Sequence, residues 1–254
     1  MRWTILGVLV VLLAAGAFGY WWKFVRRDIS PVNVQSVERE FSRSGGSTAV
    51  LPNRPAPGVY RYRTTGQEHV NALGGQTNHY PPITTLTVTN TRCGVDTRWD
   101  ILTGRYEAGQ HCLEPDGDWI LVRTQAAHRF FNQTETTTGA CTGMVELPAN
   151  PKRGQRWSGR CGDNQAWARS DFRVLGTATV RVGGQSVETV HLEITTEQMG
   201  DRSGGGTEER WVHPKTGLIV RSHNHHRDHS PSPIGSVTYE ETYEIVLESL
   251  TPRA

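Results

Sequence analysis

Hydrophobic and polar residues alternate with a period of two over most of the chain from Gly58 onward. Residues 95–101 (VDTRWDI) place valine, threonine, tryptophan and isoleucine on one face and aspartate and arginine on the other. Because successive side chains of a strand point to opposite faces, this alternation predicts β-strands that are buried on one side. Similar runs occur at residues 58–68, 83–89, 119–122, 174–182, 187–195, 207–212, 218–221 and 237–247.

Short turn sequences join the runs of the C-terminal half. Gly183 and Gly184 separate residues 174–182 from residues 187–195, and both can adopt the positive φ of a tight hairpin. Residues 213–217 (HPKTG) connect the next two runs in the same way. Long strands joined by short turns predict an all-β fold, an antiparallel meander sheet with one apolar and one polar face.

The first 27 residues follow a different pattern. Residues 3–22 (WTILGVLVVLLAAGAFGYWW) carry no charge and are followed by Lys23, Arg26 and Arg27. About 20 apolar residues span the bilayer core as a helix, with tryptophan, lysine and arginine at the headgroups. One N-terminal transmembrane helix is therefore predicted. The alternative is a signal peptide cleaved near Ala15-Gly16-Ala17, which would give a secreted protein.

Three segments follow from these patterns. Residues 1–27 form the transmembrane anchor with its basic flank, residues 28–57 a stalk or linker, and residues 58–254 an extracytoplasmic antiparallel β domain. The linker is rich in proline, glycine and serine, which is typical of a flexible spacer. Within it, residues 34–41 (VQSVEREF) are compatible with about two helical turns.

Four cysteines lie beyond the apolar run: Cys93, Cys112, Cys141 and Cys161. They lack the close ligand pairs of zinc sites, so an even set favours disulfides over a metal site or reduced buried thiols. Three connectivities are open, and we expect the two short-range closures. The basic flank alone slightly favours a cytoplasmic domain. Disulfides belong to oxidising compartments, so we predict a single-pass protein of the cell membrane whose C-terminal domain is extracytoplasmic.

Composition and charge narrow the range of partners. Hydrophobic residues make up 36% of the chain and the mean hydropathy is −0.50, as expected for sheets with one solvated face. The net charge of +2 is too small, and the basic residues too scattered, for nucleic-acid binding. Membrane headgroups are the partner expected for the basic flank, and no nucleic-acid partner is expected.

Two resemblances add to this picture. Residues 209–221 (ERWVHPKTGLIVR) resemble the strand–turn–strand of LolA-like half-barrels, envelope proteins in which a long antiparallel sheet curls around a helix or an apolar cavity. Residues 55–66 (PAPGVYRYRTTG), the Cys93-Gly94 pair and the later cysteines are similar to actinobacterial membrane-anchored envelope proteins without an assigned function. The resemblances imply a sheet curved into a half-barrel or open barrel, in a bacterial cell envelope.

A histidine cluster is the one candidate metal site. His223 and His225 would share a face of a continuing strand, and His226, Asp228 or His229 would supply a further ligand from the next loop. Such a set could hold Zn²⁺ or Cu²⁺. The alternative is a solvated strand end, in which case no cofactor is needed.

The sequence contains no motif of a known catalytic class, whether a nucleophile elbow, a P-loop, H-E-x-x-H or a dinucleotide fingerprint. We therefore expect a binding role and no enzymatic activity. The first hypothesis is that aromatic residues on the concave face, Trp99, Tyr239 and Tyr243, hold a lipid or other apolar ligand. The alternatives are that these aromatics only fill the core, or that the domain is a structural partner of another envelope protein.

Overall fold

The alternating runs form antiparallel strands that belong to one continuous sheet. The computed structural model describes residues 29–45, 49–232 and 235–253. The anchor predicted at residues 3–22 and its basic flank lie outside this range. Among the described residues, no helix has the length and apolar composition needed to cross a membrane.

The described residues contain one α-helix, a short 3-10 turn at Ala72–Gly74 and fourteen strands. The helix, α1, spans Val34–Arg43. The strands are β1 Gly58–Val70, β2 Gln76–His79, β3 Ile83–Asn90, β4 Gly94–Leu102, β5 Arg105–Leu113, β6 Trp119–Phe130, β7 Gln133–Thr142, β8 Val145–Leu147, β9 Arg156–Gly162, β10 Ala166–Val182, β11 Gln185–Gly200, β12 Ser203–Val212, β13 Ile219–Ser232 and β14 Gly235–Leu247.

The first strand of the sheet pairs with the last, so the sheet closes into a barrel. β1 and β14 are in register from Tyr62 opposite Leu247 to Val70 opposite Tyr239. Twelve strands form the closed ring. The two short strands outside the ring, β2 and β8, pair with one end of β1 and one end of β6. The antiparallel meander is confirmed, but the expected half-barrel or open barrel is wrong. Closure pairs two strands that would otherwise be exposed edges.

Inward-facing apolar side chains fill one half of the barrel. On β14, Ile245 and Leu247 point inward and pack with buried residues from eight other strands of the ring. Each such side chain contributes about 1.5–3 kcal/mol when fully buried. Members of this core are Tyr60, Tyr62, Val88, Val95, Ile101, Trp119, Leu147, Val174, Val182, Val190, Leu192, Val212 and Val220.

Both disulfides join the cysteines that are closest in sequence, as predicted. Cys141 on β7 lies opposite Cys161 on β9, and Cys112 on β5 is bonded to Cys93, which directly precedes β4. Each bond closes a loop of about 20 residues, for which a stabilisation of about 3 kcal/mol is typical. The bonds therefore fasten the wall of the barrel at two places.

The segment before the barrel lies on its outer wall. Glu38 of α1 forms an ion pair of 2.7 Å with Arg61 of β1, and Phe41 of the same helix is buried. The helix is longer than the two turns expected at residues 34–41. This part of the predicted stalk is therefore packed against the β domain.

Closure of the barrel requires glycine at position 66. A Cβ atom there would lie 2.5 Å from the carbonyl oxygen of Thr242 and 2.7 Å from Cβ of Tyr243, on the partner strand β14. We expect Gly66→Ala to lower the free energy of unfolding by about 1–3 kcal/mol more than a control glycine substitution, because overpacking forces the two strands apart. Gly176→Ala is the control, since its φ of +144° is similar and only Arg153 Cδ, at 4.0 Å, comes within reach. Equal losses in urea denaturation would contradict a closed β1–β14 pairing.

Candidate ligand-binding site

A buried arginine reaches across the lumen between strands that are not neighbours in the wall. Arg105 of β5 is 1% exposed. Its Nη2 lies 2.5 Å from Oε1 of Glu241 on β14 and 2.6 Å from Oε1 of Glu107, and its Nε lies 3.3 Å from Oε2 of Glu68 on β1. Along the wall, β4, β3 and β1 separate β5 from β14. These contacts therefore bridge the interior of the barrel.

A second arginine makes a similar set of contacts. Arg210 of β12 lies 2.7 Å from Glu208 of the same strand and 3.1 Å from Glu146 of β8, and Glu146 lies 2.6 Å from Nδ1 of His111 on β5. Together these side chains form what we call the ionic layer. The ionic layer consists of Glu68, Arg105, Glu107, His111, Glu146, Glu208, Arg210 and Glu241.

Two carboxyl groups of the ionic layer are held in the charged form. Burial opposes the ionisation of Glu146, but His111 and Arg210 outweigh it and lower its pKa to about 2. Burial also opposes the ionisation of Glu241, and there Arg105, His128 and a hydrogen bond from Tyr80 lower the pKa below the ordinary value. Both groups are therefore negatively charged at neutral pH.

Glu68 is fully buried and is held by three neutral or titratable side chains in addition to Arg105. Asn78 donates a hydrogen bond of 2.8 Å to Oε1, and Oε2 lies 3.1 Å from Nδ1 of His128 and accepts a hydrogen bond of 3.3 Å from Tyr239. Such multiple bonding is what a buried carboxyl group requires. It also fixes the rings of His128 and Tyr239, which line a large cavity.

A cavity of ≈ 810 Å³ lies on one side of the ionic layer. Glu107, Glu208 and Glu241 of the ionic layer form its floor. Its lining also includes Arg202 and Glu135, which form an ion pair of 2.7 Å. On the other side of the layer the space shrinks to ≈ 80 Å³ between core residues. Apolar and aromatic side chains that line the large cavity are Val70, Leu121, Met144, Phe130, Val237, Tyr239 and Tyr243.

One carboxylate of the cavity has an oxygen without a hydrogen-bond partner. Asp228 of β13 is 8% exposed, and its Oδ2 lies 2.8 Å from Nε2 of His226, whereas its buried Oδ1 has no partner. Burial by itself would lower the pKa of His226. The hydrogen bond and charge of Asp228 outweigh this and raise that pKa above the ordinary 6.5. Both side chains line the cavity.

The three aromatic residues predicted to bind a ligand all point into the barrel. Tyr239 and Tyr243 line the cavity. Trp99 is buried beneath it, donates a hydrogen bond of 2.8 Å to Thr84, and packs edge-on against Tyr243 with ring centroids 4.9 Å apart. Two of the three residues therefore have access to the cavity, and their role in binding stays a prediction.

The structure does not bring the four predicted histidine ligands together. The strand continues through them as β13, so His223 and His225 share the outer face as expected. His229, an odd-numbered neighbour, follows the same alternation and contacts Thr238, whereas His226 points into the cavity. His225 lies 3.5 Å from Glu240. Within the described ranges, no group of three His, Cys, Asp or Glu side chains is arranged to hold a metal ion.

Sequence reasoning predicted no residue of the ionic layer, although one signal was present. Glu241 stands between Tyr239 and Tyr243 on the face of β14 that is otherwise apolar. A charged residue at such a position must find a partner across the core. The partner, Arg105, lies in a run without apolar alternation, so its strand was not predicted.

Comparison with known proteins identifies no family. No protein-family model and no curated protein matches the chain. Among solved structures, the chain is similar to the hypothetical lipoprotein YmcC from Escherichia coli (K12), with 16% identity and a TM-score of 0.31 over 71% of this chain and 83% of that one. At that level the similarity indicates neither the family nor the activity of this chain.

The pKa of His226 provides a test of the Asp228 contact. We expect the His226 ring to titrate above 6.5 in the folded protein, and Asp228→Asn to lower that pKa. A raised folded-state pKa also means that the contribution of His226 to stability is present below about pH 6.5 and is lost as the pH rises through the folded-state value. NMR titration of the histidine rings measures the pKa directly.

The control for this titration is Glu240→Gln, which removes a carboxylate from the outer face of the same hairpin. It should leave the His226 titration unchanged. An equal shift in both variants, or none in Asp228→Asn, would show that Asp228 does not set the charge of His226.

Proposed function

We propose that this protein is an extracytoplasmic binding protein that holds a small amphipathic molecule inside its barrel. The observation that carries the proposal is the cavity of ≈ 810 Å³, which combines aromatic and apolar walls with a charged floor. Binding sites for small molecules have this size and this combination of apolar lining with a few polar groups. The charged floor favours an amphipathic ligand over a wholly apolar one.

The architecture supports a preformed cavity. An eight-stranded barrel is just wide enough for its own side chains or one small ligand, and the interior widens with strand number. A ring of twelve strands therefore encloses more space than its side chains fill. The contacts of Arg105 and Arg210 across the lumen keep that space from collapsing onto the core.

The cellular setting is part of the same proposal. Two disulfides are typical of proteins that fold outside the cytoplasm. The run at residues 3–22 would then hold the barrel at the membrane of a bacterial cell envelope, with the cavity available to molecules of that compartment. The role is binding, without catalysis.

Filling the cavity tests the proposal. Ala126 and Thr196 line it from β6 and β11, and their neighbours Gln125 and Thr195 face the other side of the wall. We expect native mass spectrometry of membrane-extracted protein to detect a bound small molecule, and Ala126→Trp/Thr196→Trp to lose it because the rings occupy its space. The matched control, Gln125→Trp/Thr195→Trp, should retain the bound molecule.

Circular dichroism and thermal melting verify that both double variants are folded. The proposal fails if the native protein carries no small molecule and takes up no hydrophobic dye. It also fails if the inward-facing and outward-facing variants retain the molecule equally.

A further inference from the structure

Building on the proposed function, we infer that the ligand carries an organic ammonium group, which binds the carboxylates Glu107, Asp228 and Glu241 at the floor of the cavity. The apolar part of the ligand lies against the aromatic wall. The ligand class is thus an amphipathic amine.

The charges inside the barrel do not balance. The side chains of Arg105 and Arg210 contact five carboxylates, and Asp228 pairs with His226 as a sixth. Three histidines, His111, His128 and His226, contact members of this set. Even with all three protonated, the carboxylates exceed the cations. A net negative charge in a largely buried interior is costly, so a bound cation would stabilise this interior.

The buried oxygen of Asp228 is an independent sign of a missing partner. Oδ2 is bonded to His226, but Oδ1 accepts no hydrogen bond in a residue that is more than nine-tenths buried and lines the cavity. A carboxylate oxygen only accepts hydrogen bonds, so its partner must be a donor. An ammonium group supplies up to three donors together with the positive charge.

The three carboxylates surround the same part of the floor. Arg105 bridges Glu107 and Glu241 with one nitrogen, and Glu241 lies opposite His226 across β13 and β14. His226 in turn contacts Asp228. The side chain of Glu107 is 41% exposed, which leaves it accessible from the cavity. A single ammonium group could therefore approach carboxylates from β5, β13 and β14.

The aromatic wall favours an organic cation over a metal ion. The ring of Tyr239 packs edge-on against His128 at 4.9 Å and Phe130 at 6.1 Å, so it is held in place beside the charged floor. Aromatic faces attract ammonium groups and also bury the apolar part of a ligand. A cavity of ≈ 810 Å³ is far larger than a bare ion needs.

Three probes that differ only in their head group test the inference. Phenylbutylammonium, phenylbutanol and phenylbutanoate are titrated calorimetrically into the full-length protein in nanodiscs, with empty nanodiscs subtracted. We expect the ammonium probe to bind at least about tenfold tighter than the alcohol and the carboxylate to bind most weakly, because like charges repel. Zn²⁺ alone is titrated as a fourth probe.

Variants locate the head group. Asp228→Asn and Glu107→Gln should each weaken the ammonium probe about tenfold while the alcohol binds as before. Glu240→Gln, on the outer face, should change neither affinity. Thermal melting confirms that each variant is folded, and Glu107, which is partly exposed, provides a substitution that packing tolerates if Asp228→Asn does not fold.

Each remaining outcome separates the inference from the proposed function. Equal affinities for the three probes would overturn the ammonium inference and leave a binding barrel. Zn²⁺ that binds tightly and displaces the ammonium probe would replace the inference with a metal site. If no probe binds and the native protein carries no small molecule, the proposed function itself fails.

Discussion

The pairing of Arg105 with Glu68, Glu107 and Glu241 is the interaction on which the rest of the barrel depends. A guanidinium that is 1% exposed is tolerated only when carboxylates surround it, because the cost of desolvating a charge reaches several kcal/mol. Two of its partners lie on β1 and β14, which are the strands that close the ring. The pairing thus connects the closing strands with β5, which lies three strands away from β1 along the wall.

This constraint divides the interior into two parts with different roles. On one side of the ionic layer, apolar side chains pack to leave only ≈ 80 Å³. On the other side, the charged groups need either water or a ligand, and the cavity of ≈ 810 Å³ provides room for both. The same ion pairs therefore support the stability of the core and provide the polar floor of the candidate site.

Sequence patterns predicted the parts of the fold in which inward residues are apolar. The runs now known as β4, β11 and β14 show clear alternation, and loop length alone favoured the correct disulfides. In β5 and β7 the inward positions carry polar residues, among them Glu107, His111, Glu135 and Thr137, so alternation does not distinguish the two faces. Barrel closure was missed for another reason: pairing between the first and last strands of the ring leaves no local signal in the chain.

Of the candidate site, the two tyrosines of β14 could be predicted and its charges could not. Tyr239 and Tyr243 stand out as aromatics on one face, whereas the role of Arg105 depends on Glu68 and Glu241, which lie far away in sequence. The role of Asp228 depends on a cavity that many strands form together. The histidine cluster is the opposite case, because its pattern is visible in the sequence but the structure does not bring its side chains together. Its spacing suggested a metal site, but one continuing strand sends His226 inward and His223 and His225 outward.

The most direct test of the ionic layer is the free energy of unfolding of Arg105→Met, measured by urea denaturation at about pH 7.5 and about pH 5. Removing the cation takes the guanidinium away from three carboxylates, two of them buried, so we expect a loss of about 3–5 kcal/mol at the higher pH. The loss should shrink at the lower pH, because the unpaired carboxyl groups then bind protons on folding. Arg169→Met removes an ion pair with Asp171 in which both side chains are 53% exposed, and it should cost less than about 1 kcal/mol at either pH. A loss at Arg105 that is equally small and independent of pH would contradict the central place given to this arginine.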